Sequence, residues 1–178
     1  MESGNRGLAV RVVVVAFVFV APASKPGSVL AAQVLQRPSA FIAQAFGGAP
    51  PRARILPVTS AMRGPISRIM GRGIGSRVRY WKGGGKTVWI LNEIGKYKPI
   101  TTGFVISSGS IRRIKVLIYR ESHGFEVRYP AFTSQFRGAR LSGARLSRGI
   151  SSISGATLSV NALKRLAALA LYLDSQVR

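Results

Sequence analysis

The chain contains no cysteine, one histidine, two tryptophans and only five carboxylate side chains in 178 residues. The missing cysteine excludes disulfides, thiolate zinc sites, iron–sulfur ligation, thiol nucleophiles and a lipid-modified N-terminal cysteine. One histidine and five acids leave little material for a metal centre or a catalytic triad. His123, beside Gly124, reads as a turn residue rather than as a ligand or base. No apolar run approaches the ~20 residues needed to span a bilayer.

What is present in excess is positive charge. There are 27 Lys and Arg residues against the five acids, a formal net charge of +22. Such an imbalance attracts polyanions: nucleic acid, anionic headgroups or phosphorylated ligands. The arginines are scattered along the chain rather than gathered on one helix face, which equally suits a well-solvated basic surface.

Arg6 and Arg11 precede the apolar run Val12-Val13-Val14-Val15-Ala16-Phe17-Val18-Phe19-Val20-Ala21. A basic start, a short apolar stretch and small residues after it have the plan of an export signal, expected over residues 1–32. Cleavage is expected after Ala21-Pro22-Ala23 or Val29-Leu30-Ala31, and the mature chain is then periplasmic or otherwise extracytoplasmic. A buried valine-rich strand is the competing reading of the same run. Residues 33–79 carry Pro38, Pro50, Pro51, Pro57 and Pro65 among glycines and arginines, with no sustained period. They read as a basic linker or loosely ordered extension, with room for a short helix over 39–46.

From residue 80 to 178 the texture is that of a small domain. Residues 87–93 and 100–106 are rich in β-formers. The turn Ser107-Ser108-Gly109-Ser110 leads into a further run whose apolar positions are Ile111, Ile114, Val116 and Ile118, which makes a hairpin. A short strand is expected at Phe125–Arg128, and Pro130 then opens a short helical piece, Ala131 to Phe136, ended by Gly138. Val160, Leu163, Ala167, Ala170 and Leu173 follow helical spacing after Thr157, with Ser159 or Thr157 available as the cap. The expected fold class is α+β: a small, curved antiparallel sheet packed on a C-terminal helix.

Two glycine-rich stretches imitate phosphate loops and fail on spacing. Lys82-Gly83-Gly84-Gly85-Lys86-Thr87 has Tyr80 where a nucleotide-binding loop needs its first glycine, and a strand pattern follows it. Gly71-Arg72-Gly73-Ile74-Gly75 has the wrong spacing for a dinucleotide fingerprint.

The stretch with chemical promise is Ser154-Gly155-Ala156-Thr157-Leu158-Ser159. A helix start presents unpaired amides and partial positive charge, which favour a phosphate. Gly155 and Ala156 allow close approach to the backbone, and Thr157 sets a hydroxyl beside it. Ordinary capping by a hydroxyl is the structural alternative.

This stretch resembles the flavinylation motif of the FMN-binding domain family, which includes flavin subunits of the sodium-translocating NADH:quinone reductase and of the Rnf complex. Residues 87–93, 98–103 and 116–121 are similar as well, so the resemblance covers roughly residues 85–175. It implies a flavoprotein of electron transport whose FMN is joined through a phosphoester to Thr157. A flavin transferase makes that bond outside the cytoplasm with FAD as donor. Ser154, Gly155 and Ala156 would form the phosphate approach, and Leu158 and Ser159 the rest of the recognised motif. The implied partner is a membrane-bound redox protein, and no specific nucleic acid is expected. The chain would be an electron carrier rather than a stand-alone enzyme. Where the family has an acid three residues before the motif's first hydroxyl residue, this chain has Ser151. Trp89, Phe104, Tyr119, Phe125 and Phe132 are the aromatic side chains available to stack on a flavin. The alternative function, from charge alone, is a cofactor-free protein that binds nucleic acid or an anionic surface.

Overall fold

A computed structural model describes residues 32–178, so the expected export signal and both expected cleavage sites lie outside the described residues. Among the described residues, no helix is long and apolar enough to cross a membrane.

The chain runs through strand β1 (Gln33–Val34), helix α1 (Pro38–Ala45), β2 (Arg54–Pro57), α2 (Ser60–Met70) and then four long strands. These are β3 (Arg77–Gly83), β4 (Lys86–Ile94), β5 (Pro99–Ser107) and β6 (Ser110–Tyr119). A 3-10 turn (Phe125–Arg128), α3 (Pro130–Thr133) and a second 3-10 turn (Ser134–Phe136) follow. The two-residue strands β7 (Leu141–Ser142) and β8 (Arg145–Leu146) form a separate hairpin, and α4 (Thr157–Ser175) closes the chain.

The expected α+β class is what the structure shows. The sheet is six-stranded and wholly antiparallel, in the order β1-β6-β5-β4-β3-β2. β3 to β6 form a meander whose turns use Gly84 and Gly85 (φ 54° and 69°) and Gly109 (φ 66°), conformations that cost glycine little. Alternation along β4 sorts its side chains between two cores. Trp89 and Leu91 face α4 and α2, whereas Val88 faces α1. The larger core joins the sheet to α4, where Leu163, Leu166, Leu171 and Leu173 are almost wholly buried. Tyr80 stacks on Trp89 within it, ring centres 4.9 Å apart.

Two expectations need correction. Residues 33–79 are part of the fold and not a linker: β1 and β2 form the two edges of the sheet, α1 is packed on it, and α2 packs against α4 in the main core. Phe41 of α1 is fully buried on one face, and Met62, Ile66, Ile69 and Met70 of α2 are buried on the other. Their 4-3-1 spacing is a helical stripe, interrupted to the eye by Gly64-Pro65 inside the helix. The expected strand at Phe125–Arg128 is a 3-10 turn entered through Gly124 at φ 75°. The hairpin at 107–110 and the helix after Thr157 lie where the sequence put them.

Candidate functional site

The N-terminus of α4 is wedged between two loops. The β4–β5 loop (residues 95–98) is closed by the Gly95 amide donating to the Lys98 carbonyl at 3.1 Å. Its outer amides turn inward onto one carboxylate: Glu121 Oε1 accepts from the Lys96, Tyr97 and Lys98 N–H groups at 2.5, 2.7 and 3.0 Å. Glu121 is itself buried, so its charge is met by aligned backbone dipoles rather than by a cation. The second loop, after β6, approaches through Gly124. A Cβ there would lie 3.1 Å from the Ala156 Cβ and 3.3 Å from the Ser159 hydroxyl. A Cβ on Gly95 would meet the Glu121 carboxylate at 2.8 Å and the Ser159 hydroxyl at 3.1 Å. Both glycines are required by close approach.

Between these loops and the helix start lies a cleft of about 200 Å³. Gly155, Ala156, Thr157, Leu158 and Ser159 line it together with Lys96, Tyr97, Glu121, Ser122 and His123. Five of the six residues singled out from the sequence are thus gathered on one cleft, whereas Ser154 is outside its lining and exposed. Their side chains divide. Thr157 and Leu158 are exposed, Gly155 has φ 77° with open space where a Cβ would stand, and Ala156 and Ser159 are buried toward the loops.

The cap expected from Ser159 or Thr157 is not made. Ala156 is the N-cap residue, and no side chain bonds to the first turn of this 19-residue helix. The first amides of α4 therefore have no intrahelical partner and no side-chain acceptor. An uncapped start carries the partial positive charge of the helix into the cleft.

Beneath the helix start, the Tyr119 phenol donates to the His123 carbonyl at 2.5 Å. Burial raises its pKa above the ordinary tyrosine value; the Ser159 hydroxyl bonding to it pulls the other way, and Glu121 adds to the rise. His123, read as a turn residue, stands at the cleft wall with Nδ1 2.8 Å from the Ser122 hydroxyl. Among the described residues there is no group of three side chains able to hold a metal ion.

Of the five aromatics considered for stacking, Trp89, Phe104, Tyr119 and Phe132 are buried in the main core and present no face to a ligand. Phe125 is exposed but packs edge-on against Tyr129, ring centres 6.2 Å apart. The aromatic surface at the cleft is instead Tyr97, 67% exposed, with the Lys96 ammonium 4.9 Å from its ring centre. Sequence reasoning passed over Lys96, Tyr97 and Glu121 as site residues. Their signal was slight: a Gly-Lys-Tyr-Lys-Pro turn whose partner carboxylate lies more than twenty residues away.

No family model, curated protein or solved structure matches this chain.

Proposed function

We propose that the chain is an extracytoplasmic FMN-carrying electron-transfer domain, serving a membrane-bound redox partner, with its FMN phosphate at the start of α4. The observation that carries the reading is the helix start itself. It is uncapped by any side chain, has the exposed Thr157 hydroxyl as its first residue, and is preceded by a glycine with nothing in front of it. These features suit a phosphate better than they suit ordinary capping, where the Ser or Thr oxygen would occupy the amides.

The fit extends to the surroundings. A cleft of about 200 Å³ is smaller than the ~300 Å³ lower bound of ordinary ligand pockets, so it takes the phosphate end of FMN and leaves the ring at the mouth. Tyr97 and Leu158, 67% and 50% exposed, are the apolar surfaces there. Lys96 adds a cation to balance the phosphate, and the Glu121 carboxylate, held by three amides, is turned to the loop. FMN supplies the transfer of one or two electrons; the protein supplies anchoring and orientation. A relay of this kind asks for no general base, in keeping with a chain that has a single imidazole.

Attachment by a flavin transferase would join the Thr157 oxygen to the FMN phosphorus of FAD. The phosphoanhydride bond breaks, AMP leaves, and the threonine proton is lost to the transferase. Co-expression with such a transferase, followed by intact mass and visible absorption, tests this. The expected result is a yellow protein heavier by one FMN group, with no covalent adduct in Thr157→Ala. Ser151→Asp, which supplies the family's acid, raises the modified fraction. A colourless protein of unmodified mass that takes up no free FMN ends the reading.

A further inference from the structure

A second cavity, of about 560 Å³, opens between α2, the β7–β8 hairpin and the middle of α4. It shares no lining residue with the Thr157 cleft. Its volume falls within the ~300–1,000 Å³ of small-molecule sites. Arg68, Arg145, Arg148, Lys164 and Arg165 line it, five cations among twelve residues, against 27 in 178 for the whole chain. No carboxylate is in the lining.

Two of these cations, Lys164 and Arg165, are half-buried in the wall, and Arg68, Arg145 and Arg148 are exposed at its rim. Arg165 is fixed from behind by Glu93, Nη2 to Oε1 at 3.1 Å, while its buried Nε has no hydrogen-bond partner. Arg148 is steadied by donating to the Arg137 carbonyl at 2.5 Å. Among the described residues, the side chains of Arg68, Arg145 and Lys164 make no hydrogen bond or ion pair, and Lys164 is half-buried. A buried guanidinium N–H without an acceptor is costly unless a partner completes it. The remaining wall is apolar, with Ile69, Leu146 and Ile150, and the Asn161 amide stands beside it. Cations, apolar side chains and one amide on the same lining suit a molecule that carries both anionic groups and an apolar part.

We propose that this cavity binds a small soluble phosphate ester of nucleotide size. Arg68, Arg145 and Lys164 take its phosphates, and Ile69, Leu146 and Ile150 receive its ring. Two phosphates suit three unpaired cations, since each phosphate carries between one and two charges. Arg165, held by Glu93, adds fixed positive charge to the wall.

Calorimetric titration of the full chain at about 0.15 M salt, with ADP, inorganic pyrophosphate and adenosine as probes, tests the assignment. ADP is expected to bind one-to-one, at least about tenfold more tightly than pyrophosphate, because the ring adds apolar burial. Adenosine alone is expected to bind far more weakly still. Arg145→Glu/Lys164→Glu removes ADP binding, and the milder Arg145→Ala/Lys164→Ala weakens it at least about tenfold. Arg52→Glu/Arg63→Glu, an equal charge change at exposed positions outside the cavity, leaves it within about threefold. Thr157→Ala leaves ADP binding intact while abolishing covalent flavin, so the two readings fail separately. Three results overturn the proposal: no ADP binding to the wild-type chain, equal losses in cavity and control variants, or affinity that follows charge alone. Preferential binding of anionic vesicles or single-stranded DNA that ADP does not displace also overturns it.

Discussion

Tyr119 is 3% exposed, and its single hydroxyl links the end of β6 to the loop that walls the Thr157 cleft. Its raised pKa has a definite consequence for stability. The folded chain keeps the phenol proton at a pH where the unfolded chain has released it. The contribution is therefore complete below the unfolded value of 10.0 and is lost as pH climbs through the higher folded value. Thermal melts of the wild type and Tyr119→Phe across about pH 8 to 11 should diverge in slope. The phenylalanine variant starts lower, by about 1 kcal/mol for the lost hydrogen bond, and declines less steeply above pH 10. At this scale the site was half legible. The residues 155–159 marked in the sequence do line one cleft, but which hydroxyl faces solvent depends on where the helix begins. Placing Ala156 at the N-cap turns Ser159 inward and Thr157 outward, and that offset of one position is not visible in residue types. The nest around Glu121 was out of reach for a different reason. Three consecutive amides aimed at one carboxylate are a backbone arrangement, set by the close approach at Gly95.

Helix α1 is seated on its face of the sheet by Phe41 and Ile42, packed among Val88, Val105 and Leu117. The Phe41 ring lies flush on Gly103 of β5, where a Cβ would come within 2.6, 2.8 and 2.9 Å of three ring carbons. Phe41→Ala should cost about 3–5 kcal/mol in denaturant unfolding, from lost burial and an unfilled cavity. Gly103→Ala should cost about 1–3 kcal/mol by overpacking. Combined, the two should cost less than their sum, because the added methyl enters space the ring has vacated. If the effects add, the contact is not what seats the helix. At the other face, α4 is fastened near its end by Asp174, which accepts from the Thr87 hydroxyl at 2.6 Å while the Trp89 indole donates to the same hydroxyl at 2.9 Å. The elements that could be read from sequence were those whose period was uninterrupted, namely β4 to β6 and α4. Helix α1 was legible only as room for a short helix over 39–46, and α2, with Pro65 in its middle, was not legible at all. Their order comes from long-range burial of Phe41 and Ile66 rather than from local preference.

For the molecule as a whole, +22 charges on 178 residues set a repulsive background that favours expansion. Only three salt bridges are formed among the described residues, so screening relieves repulsion more than it weakens attraction. The melting temperature should rise between about 0.02 and 0.2 M sodium chloride, as the screening length falls from roughly 20 to 7 Å. A fall over that range would mean that the three ion pairs outweigh the repulsion. The sheet order has a consequence in time. β1 pairs with β6 through Gln33 and Tyr119, and β2 pairs with β3, so residues 33–57 brace both margins of a meander they precede in the chain. When synthesis proceeds from the N-terminus, this brace emerges before either margin exists, with Phe41 and Ile42 uncovered until β4 to β6 have been made. Gln33 must find Tyr119 across the whole meander, a non-local pairing of the kind that slows folding. Helix α1 thus waits for β6 before its apolar face is covered, and the main core waits longer still, until α4 has been made.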